Sequence, residues 1–164
     1  MPDKDTILVV CTANICRSPM AERLLRHALA VEKPPLNQLK VVSVGVAAGT
    51  GHPATDHSIT AMKKVGIDVS DHESRPVTQE LLDQALAVFC MTETHRALIE
   101  IGFERVPEHM HLFREFIGKD GDTEIPDPYG QNFTSYVSSR DSMVEAIPSL
   151  VRFLRTIVSP PAAG

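Results

Sequence analysis

The chain has 164 residues, enough for one domain with a buried core that needs neither metal nor disulfide staples. Apolar residues make up 43% and charged residues 23%, an ordinary balance for a globular protein, and no run approaches the ~20 apolar residues that cross a bilayer. The formal net charge of -5 argues against a nucleic-acid binder, which would carry a basic stripe.

The short run Ile7-Leu8-Val9-Val10 reads as a buried parallel strand. It is too short for a signal-peptide core and has Asp3, Lys4 and Asp5 before it, so a cytoplasmic protein is expected. A loop follows at residues 11–17. Ser18 reads as the N-cap of a helix and Pro19 as its first residue. Ala21, Leu24, Leu25, Ala28 and Leu29 form that helix's apolar face, and Pro34-Pro35 cannot continue it. Lys40–Val46 is a second strand. Gly49, Gly51 and Pro53 mark a loop, and a helix over Asp56–Lys64 stops at Gly66. Asp68–Val77 has turn and short-strand character. Thr78 caps a helix carrying Leu81, Leu82 and Ala85. Leu86–Met91 is a third strand, Thr92–Ile101 a helix stopped by Gly102, and Met110–Phe113 a fourth strand. Gly118–Gly130 is a long polar loop. The last helix carries Tyr136, Val137, Met143, Val144, Ile147, Leu150, Val151, Leu154 and Ile157 on one face, with Pro148 expected to kink or split it. Residues 1–158 read as a single domain and 159–164 as a disordered tail.

Strands that alternate with helices give an α/β fold: a four-stranded parallel sheet between two helical layers, α/β/α. Ligands of such sheets bind at the carboxyl ends of strands, near a topological switch point. The loop that begins at Cys11 leaves the first strand at that end.

Residues Cys11-Thr12-Ala13-Asn14-Ile15-Cys16-Arg17-Ser18 suit a tetrahedral oxyanion. A loop closing onto a helix N-terminus aims backbone N–H groups at one spot, and the helix dipole adds positive character. Arg17 can add a bidentate fork. The same field favours a thiolate at Cys11, and Ser18 can donate to it. The loop has no glycine, so Ala13 and Asn14 carry its curvature, and Asn tolerates positive φ. Three cysteines form no disulfide framework, and no Cys-x-x-Cys pair exists. The seven histidines are dispersed. His109 and His111, the one close pair, read as one strand face before they read as zinc ligands.

Cys11 through Glu22 resembles, without a gap, the signature of the low-molecular-weight protein tyrosine phosphatases. Asp127-Pro128-Tyr129-Gly130 is similar to the family's second motif, with weaker matches at Ser43, Gly45, His72–Thr78 and Met91. The likeness spans about residues 6–157. It implies Cys11 as the nucleophile of a phosphocysteine intermediate. It implies Arg17 and the N–H groups of Thr12, Ala13, Asn14, Ile15, Cys16 and Arg17 as the phosphate cradle, with Ser18 also phosphate-binding. It implies Asp127 as general acid, then base on the hydrolytic water, in a mobile Gly- and Asp-rich loop. Taken alone, Asp127 reads as a turn carboxylate. Ile15 and Tyr129 would wall an aromatic leaving group, and Asn14, Ser43 and His72 would support the loop. Cys16 would be a redox partner of Cys11, or else a passive small residue. The resemblance implies phosphorylated protein substrates, a monomer, and no cofactor, metal, nucleic acid or membrane partner.

Ile15 favours phosphotyrosine, since a Thr there goes with phosphoarginine phosphatases. Yet Gly49-Thr50-Gly51 stands where many tyrosine-specific members place an aromatic, and the middle of the chain is similar to the arginine phosphatase branch. Arsenate reductases share the loop but need further cysteines. Cys90 is the one candidate, in the apolar run Ala87-Val88-Phe89-Cys90-Met91, and no second downstream cysteine exists. A non-catalytic thiol redox sensor would normally lack Cys, Arg or the acid, and all three are present.

Overall fold

The structure, a computed structural model, describes residues 4–118 and 121–158. The tail expectation for 159–164 and part of the 118–130 loop lie outside the described residues. Among the described residues ten elements run in order: β1 (Thr6–Cys11), α1 (Arg17–Ala30), a 3-10 turn (Leu36–Gln38), β2 (Lys40–Gly45), α2 (Asp56–Lys63), α3 (Gln79–Gln84), β3 (Ala85–Cys90), α4 (Glu93–Gly102), β4 (Met110–Leu112) and α5 (Phe133–Ile157). All pairings are parallel, in the order β2-β1-β3-β4. The chain steps from β1 to one side and then returns past it to β3. The carboxyl end of β1 is therefore the switch point of the sheet.

Alternation along the strands divides the core in two. Ile7, Val9, Ala87 and Phe89 face α1, α2 and α5, packing with Leu25, Met62 and Leu150. Leu8, Val10, Val88 and Cys90 face α3 and α4, packing with Leu82 and Ile99. Every residue of β1 is buried, as its unbroken apolar run requires. β2 is an edge strand, and the Glu22 carboxylate of α1 accepts the Ser43 N–H at 2.9 Å, closing part of that edge.

Three expectations are corrected. First, α1 begins at Arg17 with Cys16 at the N-cap and no side-chain cap. Ser18 lies in the first turn with its hydroxyl committed to the loop, so it cannot cap. Second, α5 is one helix of 25 residues that runs through Pro148. Pro148 is exposed, and Val144, whose carbonyl loses its partner, is 46% exposed, so water can take the freed oxygen. Val144 is accordingly off the buried face. Third, residues 68–77 form no strand, only the single bridge Gly45–Pro76. His109 and His111 lie on one face, stacked at 5.9 Å and packed edge-on against Phe153 in an aromatic cluster.

Candidate active site

The loop after β1 is held from outside. The carbonyl of Cys11 accepts from Val46 N–H at 3.0 Å, that of Thr12 from Ala47 N–H at 2.9 Å, and that of Ile15 from Thr55 N–H at 2.9 Å. The Asn14 carbonyl accepts from His72 Nε2 at 2.6 Å, and the Cys16 carbonyl from the Ser58 hydroxyl at 3.2 Å. With these carbonyls turned outward, the amides turn inward. None of the N–H groups of residues 12–16 donates to an acceptor among the described residues. Such a ring of free donors at the start of α1 is an anion cradle.

Asn14 makes the turn possible. Its φ is +60°, the only positive φ among the described non-glycine residues. Its side chain holds that conformation: Oδ1 accepts Arg75 N–H at 2.9 Å, and Nδ2 donates to Ser18 Oγ at 2.7 Å. Gly45 makes room for it. A Cβ there would sit 2.5 Å from the Thr12 carbonyl oxygen and 3.0 Å from Asn14 N. His72 is buried, and that burial lowers its pKa against the opposing pull of its bond to Asn14. The family likeness implies that Ser43 supports the loop as well. Its hydroxyl is buried without a partner. The register pairs Gly45 with Cys11 but Ser43 with Val9, a strand step away from the loop.

Cys11 lies on the floor, 2% exposed, its Sγ 2.9 Å from Ser18 Oγ. Since Asn14 fills an acceptor site of that hydroxyl, the Ser18 proton can point at the sulfur. Arg17 is 3% exposed. Its Nη1 donates to the Ile125 carbonyl at 2.8 Å, its Nη2 to Thr12 Oγ1 at 3.3 Å, and Nη2 lies 3.7 Å from Asp127 Oδ2. Arg17 Nε is buried with no partner. A buried guanidinium N–H left free beside a ring of free amides is a place for an oxyanion.

Asp127 is half exposed, and its Oδ1 accepts Tyr129 N–H at 3.0 Å. These groups enclose a cavity of about 300 Å³ lined by Cys11, Thr12, Ala13, Ile15, Cys16, Arg17, Asp127 and Tyr129. Ala13, Ile15 and Tyr129 form the apolar part of its wall. No residue of 46–56 lines it among the described residues. The Cys16 thiol is pushed up in pKa, first by burial, and lies near Tyr136 Oη at 3.6 Å and Thr55 Oγ1 at 3.7 Å. Cys90 belongs to the opposite face of the sheet from Cys11, fully buried, its pKa pushed up to about 12 by burial.

Residues 6–158 match the family model of the low molecular weight phosphotyrosine protein phosphatases. The chain belongs to this family. A protein-arginine-phosphatase of Bacillus subtilis is 35% identical over 91% of the chain and 96% of that relative. A probable low molecular weight protein-tyrosine-phosphatase, EpsP, of Ralstonia nicotianae is 31% identical over 93% and 97%. The structure of the YwlE arginine phosphatase from Geobacillus stearothermophilus superposes with a TM-score of 0.80 at 33% identity, covering 92% of this chain and 93% of that one. The chain is thus a low molecular weight phosphatase with an α/β/α fold.

One contact of the loop was not legible in the sequence. His95 Nε2 lies 2.9 Å from Thr12 Oγ1, and its Nδ1 accepts the Thr92 N–H at 3.2 Å. The available signal was Thr92-x-x-His95 at a helix start, a capping box with His in its third position.

Proposed function

We propose that this phosphatase hydrolyses phosphotyrosine in proteins through a phosphocysteine intermediate. The phosphoryl group sits in the amide ring with two oxygens on the Arg17 fork. Cys11 Sγ attacks phosphorus in line as the P–O bond to the phenol breaks. Asp127, in its acid form, protonates the leaving oxygen. Asp127 then takes a proton from water as that water attacks the phosphocysteine, and the S–P electron pair returns to Cys11, stabilised by the Ser18 hydroxyl. The fork and amides serve the charge of the five-coordinate transition state, so they act on rate more than on binding.

The observation that carries this reading is the unpartnered Arg17 Nε beside Cys11 beneath an apolar wall of Ala13, Ile15 and Tyr129. That wall offers an aromatic ring a face to pack on. Phosphoarginine is the second reading, favoured by the 35% identity to a protein-arginine-phosphatase. Cys90, across the sheet from Cys11, supplies no relay for arsenate reduction. Cys16, in the same cavity as Cys11, is the partner for a protective disulfide once an oxidant such as peroxide has formed a sulfenate on Cys11. Free thiols in the site suit a reducing compartment, the cytoplasm, and the chain is taken to act as a monomer.

The test is hydrolysis of p-nitrophenyl phosphate by wild type and Cys11→Ser, then of phosphotyrosine and phosphoarginine peptides by wild type and Ile15→Thr. Equal rates for wild type and Cys11→Ser refute cysteine catalysis. A wild-type preference for phosphoarginine overturns the substrate assignment.

A further inference from the structure

The Arg17 guanidinium is tethered at both ends to one place, the junction between β3 and α4. One arm runs through Ile125. Its carbonyl accepts from Arg17 Nη1 at 2.8 Å, and its N–H donates to the Met91 carbonyl at 3.0 Å. The other arm runs through Thr12. Its Oγ1 accepts from Arg17 Nη2 at 3.3 Å and meets His95 Nε2 at 2.9 Å, while His95 Nδ1 returns to the Thr92 N–H at 3.2 Å. Met91 and Thr92 are adjacent, so the two arms close a ring of hydrogen bonds around the guanidinium. The Glu124 carboxylate accepts the Glu93 N–H at 2.7 Å and fixes the approach to Asp127 on the same junction.

The direction of each bond in the Thr12 arm is determined. A backbone N–H can only donate, so His95 Nδ1 carries a lone pair and the ring's proton is on Nε2. His95 therefore donates to Thr12 Oγ1, and Arg17 does too. With both lone pairs of Oγ1 filled, the hydroxyl cannot turn its own proton toward the guanidinium. His95 is 4% exposed, and burial together with the Arg17 charge lowers its pKa to about 4, so the ring stays neutral across the ordinary working range.

We propose that His95 is a positioning residue of this phosphatase, acting through Thr12 to set the angle at which Arg17 presents its phosphate-binding fork. The role rests on the phosphatase reading above. It differs from capping α4, which Thr92 does through its own hydroxyl bond to His95 N–H.

The experiment measures kcat and KM for p-nitrophenyl phosphate, and inhibition by vanadate, in Thr12→Val, His95→Leu, the double variant and His95→Gln. Loss of one hydrogen bond that aligns a charged group predicts roughly 10-fold lower kcat/KM in each single variant. The loss falls mainly on kcat, and vanadate binding weakens in parallel. The double variant is no worse than the poorer single one, because both residues belong to one arm. His95→Gln, whose amide can accept from Thr92 and donate to Thr12, recovers most of the loss. Wild-type kinetics in Thr12→Val, a loop substitution that leaves the core untouched, overturn the proposal. So do losses that multiply in the double variant, or a His95→Leu whose melting temperature falls with kcat unchanged. An active, Cys11-dependent wild type with any of these outcomes refutes the role of His95 alone. A wild type with no turnover refutes the phosphatase reading and the role with it.

Discussion

The buried neutral state of His95 makes a measurable claim on stability. Unfolded, the ring takes a proton near pH 6.5; folded, it does so near about 4, because burial and the Arg17 charge outweigh the pull of Asp127 and Glu124. Those are the charged groups that reach His95 from α1 and from the loop after β4. A depressed histidine contributes stability that is complete above the unfolded pKa and disappears as pH falls through the window from 6.5 to 4. Within that window the unfolded chain holds one more proton than the folded one. At about 1.4 kcal/mol per pKa unit, the window is worth about 3 kcal/mol. Side-chain exposure is low, so solvent screening removes little of it. The assay is urea denaturation of wild type and His95→Gln at pH 7 and pH 4.5. Comparing each protein with itself cancels any fixed cost of the substitution and the similar but separate contribution of His72. Wild type is expected to lose about 2–3 kcal/mol more than His95→Gln between the two pH values. Equal losses would show that His95 titrates normally in the folded protein and is not held neutral with its proton on Nε2.

Three further outcomes are expected. Asp127→Asn should lower kcat by about 100-fold or more on alkyl and phenyl phosphates and much less on p-nitrophenyl phosphate; a loss independent of leaving-group pKa would remove Asp127 from the acid role. Gly45→Ala forces a Cβ against the Thr12 carbonyl at 2.5 Å, so it should cost about 1–3 kcal/mol of stability and most of the activity; an active variant of unchanged melting temperature contradicts this packing. Cys16→Ser should keep turnover but lose recovery by thiol reductant after peroxide treatment, and full recovery of the variant would assign Cys16 a passive role.

The local order of the chain was legible because local forces set it. The apolar run of β1, the cap at Thr78 and the glycine after α2 each act over a few residues. Residues 11–18 likewise suit an oxyanion as a contiguous string, whereas residues 127–130 stand out only through the family likeness. Asn14 could be assigned its positive φ from the absence of glycine in the loop. What tertiary structure decided is which distant groups meet them. Ser18 serves the loop instead of capping α1, since its hydroxyl accepts from Asn14 and lies against Cys11 Sγ across the turn. Ser43 misses the loop through strand register, and Gly45 contributes by having no side chain at all. The helix survives Pro148 because that residue faces solvent, which no propensity scale records. His95 is 83 residues from the Thr12 it touches, and only the parallel β1–β3 pairing brings their elements together. Sequence by itself marked Cys11, Arg17 and Asp127 as the groups to watch, because residue type within a short motif is a local property. Their orientation depends on hydrogen bonds closed across the sheet, and only the folded chain supplies those.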